Sequence, residues 1–60
     1  METIYIEGDS LAFKAFIDAQ GGKAELTNVE GHNRWVIERE DGSKYIARPE
    51  EARPNEENPF

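Results

Sequence analysis

Chemistry needs nucleophiles, bases or metal ligands brought together, and few residues of this 60-residue chain could serve. His32 is the single histidine. It lies in the turn Glu30-Gly31-His32-Asn33, where a general base or a metal ligand could be built beside Glu30. Nothing completes such a site, because the sequence has no second histidine, no cysteine and no carboxylate pair spaced along one element. His32 therefore reads as a turn residue. The two serines, Ser10 and Ser43, have structural explanations as a helix cap and a hairpin flank. Neither stands in a nucleophile-elbow pattern. Gly21-Gly22-Lys23 has the composition of a phosphate loop but follows a helix and precedes a strand. A phosphate cradle needs the reverse order, with amide hydrogens aimed from a helix N-terminus. Glu38, Glu40 and Asp41 lack the spacing of a calcium loop and read as a solvated hairpin tip. No metal, no cofactor and no catalytic residue is expected. A domain of this size is also expected to be too small to enclose a substrate pocket of roughly 300 Å³ or more.

Two charged constellations remain. Arg34, Arg39, Lys44 and Arg48 interleave with Trp35 and Tyr45, a pattern with which small sheets stack on single-stranded nucleic acid. Against that use, the face carrying Trp35, Arg39, Lys44 and Arg48 is the one a helix should cover, and a net charge of −6 repels phosphate. A structural cation–π pair of Arg48 on Trp35 is the simpler expectation. The opposite constellation is Glu2, Glu7, Asp9, Asp18, Glu25 and Glu30. Carboxylates so distributed can imitate the phosphates of a nucleic acid, although a modest negative charge is also ordinary for solubility.

The elements that must position these residues follow from pattern. Ile4 and Ile6 alternate with Thr3, Tyr5 and Glu7, the two-residue period of a half-buried strand ended by Gly8. Asp9-Ser10 supplies N-cap side chains. From Leu11 to Gln20, Ala12, Phe13, Phe16 and Ile17 fall on one helical face with Lys14 and Asp18 opposite, and Gly21-Gly22 stops the helix. Lys23–Val29, Arg34–Glu40 and Ser43–Arg48 read as three further strands. Asp41-Gly42 signals a tight two-residue hairpin, and Glu30 to Asn33 a looser four-residue turn. Those turns set Ile37 opposite Ile46, Trp35 opposite Arg48, Val36 opposite Ala47 and Leu26 opposite Ile37. Leu26, Ile37 and Ile46 then form one row under the helix.

The fold class is α+β: a single β-α-β-β-β domain over residues 1–48, with one helix on one face of a small mixed sheet. Its last three strands form an antiparallel meander. The first strand should run parallel to the second and lie at a sheet edge. Residues 49–60 carry three Pro, four Glu and two Asn, the composition of a flexible acidic tail.

Size and charge bound the rest. A chain this short buries only roughly 60% of the surface its unfolded form exposes, so association with another chain would help it. The charge is uneven. Residues 1–32 hold two basic and six acidic side chains, residues 33–48 four and three, and residues 49–60 one and four. No signal segment or stretch long enough to span a membrane is visible. With no cysteine, a soluble cytoplasmic protein is expected.

One helix leaves the other face of the sheet uncovered. The expected register puts Tyr5, Thr27, Arg34, Val36, Glu38, Tyr45 and Ala47 there, a mixture richer in aromatic and apolar groups than water requires. Tyr5, Arg34, Val36, Glu38, Tyr45 and Ala47 are therefore the candidate partner-binding residues. The functional expectation is a small acidic protein-binding accessory or regulatory domain that acts through this face or a sheet edge. Its partner is another protein or a second copy in a homodimer, with no direct nucleic-acid or membrane binding. Size, acidity and lack of chemistry are those of small regulators or inhibitors encoded by phages and other mobile elements, a similarity of type only. The alternative is an acidic mimic that blocks a DNA- or RNA-binding enzyme.

Overall fold

The computed structural model describes residues 1–50, and the chain order is strand, helix, then three strands. Strand β1 spans Glu2–Ile6, helix α1 Ser10–Ala19, β2 Ala24–Val29, β3 His32–Glu38 and β4 Lys44–Pro49. Helix α1 begins at Asp9, whose Oδ1 accepts the Ala12 amide hydrogen at 2.9 Å. That bond satisfies one of the donors a first helical turn leaves open. At the far end Gly21, with φ +60°, takes the left-handed conformation, and its N–H closes on the Asp18 carbonyl at 3.3 Å.

The four strands form one sheet in the order β1-β4-β3-β2. The last three make the expected antiparallel meander. Strand β1 lies at an edge and pairs parallel with β4, so it runs in the same direction as β2 at the opposite edge. Strand β4 reaches one residue past the expected boundary. Pro49 has no N–H to offer, and it sits where the β3–β4 ladder has already stopped, beyond the Trp35–Ala47 pair. The Glu50 N–H continues the pairing with β1 by donating to the Ile6 carbonyl at 2.9 Å. Of the expected tail over 49–60, everything from residue 51 onward lies outside the described residues.

Both turns differ from expectation, and each difference has a cause. Val29 pairs with His32, which leaves Glu30 and Gly31 as a two-residue turn with φ +54° and +88°. Positive φ at both central positions is what a type I′ turn requires. At the other hairpin only Gly42 has positive φ, at +89°. Asp41 instead turns its carboxylate onto its own loop, accepting the Ser43 N–H at 2.9 Å and the Ser43 hydroxyl at 2.6 Å. Arg39 N–H donates to the Ser43 carbonyl at 2.7 Å, which makes Glu40-Asp41-Gly42 a three-residue loop.

A loop of three rather than two residues shifts β4 by one against β3. Trp35 pairs with Ala47, Val36 with Ile46 and Ile37 with Tyr45. Because side chains alternate, that single step turns β4 over. The expected row of Leu26, Ile37 and Ile46 does not form. Ile37 is flanked instead by Ala24 and Tyr45. The core beneath the helix consists of Phe13, Ile17, Ile37 and Ala47, with Ile6, Phe16, Ala24, Trp35 and Tyr45 packed around it. Phe13 and Ala47 are completely buried. Burying a side chain of the size of Phe13 is worth roughly 1.5–3 kcal/mol, a large share for a domain with so few core residues.

Candidate partner-binding face

Alternation from the core residues defines the face opposite the helix. Thr3 and Tyr5 lie there from β1, Lys44, Ile46 and Arg48 from β4, Arg34, Val36 and Glu38 from β3, and Glu25, Thr27 and Val29 from β2. Of the six candidate residues, Tyr5, Arg34, Val36 and Glu38 share this face as expected. Tyr45 and Ala47 do not. They sit under the helix, Tyr45 half-buried and Ala47 fully buried, because the three-residue loop reversed β4. In their place the face opposite the helix receives Lys44, Ile46 and Arg48. The signal that would have found them is the Glu40-Asp41-Gly42 triplet, in which glycine in the third position and an Asx side chain in the second fit a three-residue hairpin loop.

The same reversal replaces the expected cation–π pair. Trp35 faces the helix and Arg48 the opposite side. Arg39 lies over the Tyr45 ring instead, 4.5 Å from its centroid, and its guanidinium donates to Glu2 Oε1 at 2.9 Å. Glu2 is next to Tyr45 in the β1–β4 pairing, so the bridge closes over the strand it neighbours.

At its centre the face opposite the helix is apolar and buried, with Arg48 beside it also buried. Val36 and Ile46 pair with each other and are each less than one-tenth exposed. Beside them lies a concavity of about 260 Å³ lined by Met1, Gly22, Lys23, Glu25, Thr27, Val29, Val36, Glu38 and Lys44. The domain thus does hold a hollow, though one open along the sheet rather than closed around a substrate. Its floor is Val29 and Val36, and its rim alternates in sign, with Lys23 and Lys44 beside Glu25 and Glu38. Lys44 stands directly across the sheet from Glu38. Tyr5 lies on the same face, more than one-third exposed.

His32 occupies the start of β3 opposite Val29, half-buried. No cluster of three metal-ligating side chains occurs among the described residues. Ser43 flanks the hairpin as expected, held by Asp41, whereas Ser10 is the first residue of α1 and the cap expected of it is supplied by Asp9. No helix among the described residues is long and apolar enough to cross a membrane.

No protein-family model matches this chain, and neither a curated protein nor a solved structure matches it. Function therefore has to be argued from the face itself.

Proposed function

We propose that this chain is a small protein-binding module that receives an extended segment of another protein in the hollow of the sheet face opposite its helix. The observation that carries the reading is the make-up of that hollow: a valine floor with two lysines and two glutamates around it. An apolar centre within a polar rim is the anatomy of a protein interface. Rim charges of both signs suit a polypeptide and not a polyanion, since a phosphate backbone laid along the groove would meet Glu25 and Glu38. The aromatic side chains that could stack on bases point the same way, because Trp35 and Tyr45 pack beneath the helix.

Such a module acts by occupying its partner, as a regulator or inhibitor does, and with no cysteine to protect we place its action in the cytoplasm. The acidic-mimic alternative gains less from the fold. Glu2 is engaged by Arg39, and Glu25 faces the groove while Asp18 lies on the helix. Those carboxylates do not form one track.

The test is affinity capture from the source cell with wild-type and rim-reversed protein. Reversing Lys23 and Lys44 to Glu together should lower recovery of the partner at least about tenfold, a loss on the scale of a few interface charges. Asp18→Lys on the helix should leave recovery unchanged. Equal loss in both variants, or capture of nucleic acid in place of protein, would overturn the reading.

A further inference from the structure

Strand β2 is an edge of the sheet, and no other strand pairs with its outer side among the described residues. Which of its groups face outward can be worked out. The Glu38 N–H donates to the Lys23 carbonyl at 3.2 Å, so Lys23 and Glu38 form a hydrogen-bonded antiparallel pair. In an antiparallel ladder such pairs recur at every second residue. Glu25–Val36, Thr27–Arg34 and Val29–His32 are therefore the remaining inward pairs. Ala24, Leu26 and Asn28 turn their N–H and C=O groups to the open edge.

Edge strands are commonly blunted by proline, by charged side chains or by a bulge. The sequence from Ala24 to Val29 contains no proline and a single charged residue, Glu25, and its pairing with β3 is unbroken. Leu26, at the middle of the strand, leaves 48% of its surface exposed on the helix side.

We infer that β2 pairs antiparallel with β2 of a second copy, about a two-fold axis through Leu26, to give a continuous eight-stranded sheet. The choice of axis follows from the outward groups. A dyad at Leu26 pairs Leu26 with its own copy and Ala24 with Asn28 of the copy, so all three outward residues find partners within the strand. A dyad at Ala24 would instead call on Gly22, which lies in the turn after the helix. One at Asn28 would call on Glu30, which the type I′ turn has already rotated away. With Leu26 at the axis, two half-exposed leucines meet on the helix side, and Glu25 stands opposite Thr27 of the copy and not opposite a second carboxylate. Both helices then lie on one side and both hollows on the other, adjoining across the seam. This pairing stands apart from whatever fills the hollow.

A strand-to-strand seam is a small interface, so the dimer should dissociate on dilution. Each copy carries a charge of −6, and the two Glu25 side chains lie one diagonal step apart, so added salt should strengthen the association. That is opposite to the effect of salt on a contact between unlike charges.

The experiment is cross-linking with a short bismaleimide in a chain that has no cysteine of its own. In a hydrogen-bonded antiparallel pair the Cα atoms lie about 5.5 Å apart and the Cβ atoms about as far, wider than the roughly 3.5–4.5 Å between Cβ atoms of a direct disulfide but within reach of the reagent. Leu26→Cys should give a covalent dimer with it, and Ala24→Cys, about 14 Å from its copy along the strand, should not. Sedimentation at rising concentration should show wild type reaching a dimer and stopping there. Leu26→Pro should stay folded and monomeric, because the lost N–H served only the outer edge. Trapping through Ala24→Cys in place of Leu26→Cys, growth beyond a dimer, or a wild type monomeric up to millimolar concentration would each overturn the inference. None of these results touches the groove, whose own test is the rim reversal.

Discussion

At the scale of single residues, the best-defined electrostatic feature is Asp41. The hydrogen bond from the Ser43 hydroxyl holds its carboxyl below the usual carboxylate range. The Ser43 N–H acts in the same direction, desolvation opposes it, and the nearby Arg39 charge adds a lesser lowering effect. A carboxyl with a lowered folded-state pKa contributes stability above its unfolded pKa and loses that contribution as pH falls through the folded value. The tip of the β3–β4 hairpin should accordingly be as well ordered at neutral pH as at pH 5, and loosen only in acid below the ordinary carboxylate range. Proton exchange at the Ser43 amide, followed against pH, checks this. Asp41→Ala should remove the acid dependence and leave that amide in fast exchange at every pH. An acid transition that survives the substitution would assign the dependence to another group.

At the scale of elements, the joint between β1 and α1 is the most constrained. Gly8 has φ +116°, and a Cβ built there would stand 2.6 Å from the Ala12 Cβ. Gly8→Ala should thus destabilise the domain by about 1–3 kcal/mol, through a backbone conformation L-residues avoid and a clash at the base of the helix. Urea titration of the variant measures it, and a loss well below that range would mean the joint can relax. Much of the element order was legible because each signal was local: Asp9 beside an apolar face at helical spacing, Gly21 after it, and alternating strands. Register was not, because it depends on loop length. Asp41-Gly42 taken alone is a two-residue hairpin signal. Only the competition between Asp41 bonding to Ser43 and adopting positive φ decides for three residues. That one residue moved Tyr45 and Ala47 out of the candidate face and brought Lys44, Ile46 and Arg48 into it. Arg34, Val36 and Glu38 still share a face with Thr27 because the β2–β3 turn differed by an even step, and Tyr5 keeps its place by alternation with Ile4 and Ile6.

At the scale of the whole molecule, stability rests on few side chains. A 60-residue domain is expected to have a net stability of roughly 3–9 kcal/mol, and Phe13 is the largest completely buried residue among the described residues. Phe13→Ala should cost about 3–5 kcal/mol, at least a third of that stability, and lower the thermal midpoint sharply, as circular dichroism would show. A cooperative melt close to wild type would mean that the core does not depend on the helix packing described above. Loops are ordinarily where a lineage gains or loses residues without penalty, but the Glu40-Asp41-Gly42 loop gives this protein no such freedom. Deleting one of its residues, or inserting one, would exchange the inside and outside of β4 and drive Arg48 and Lys44 toward Phe13. A one-residue change would leave Ile46 as the single apolar β4 side chain facing Phe13, whereas changes in steps of two keep Tyr45 and Ala47 there. Related chains that differ in length should therefore keep the parity of this loop even where its amino acids have changed completely.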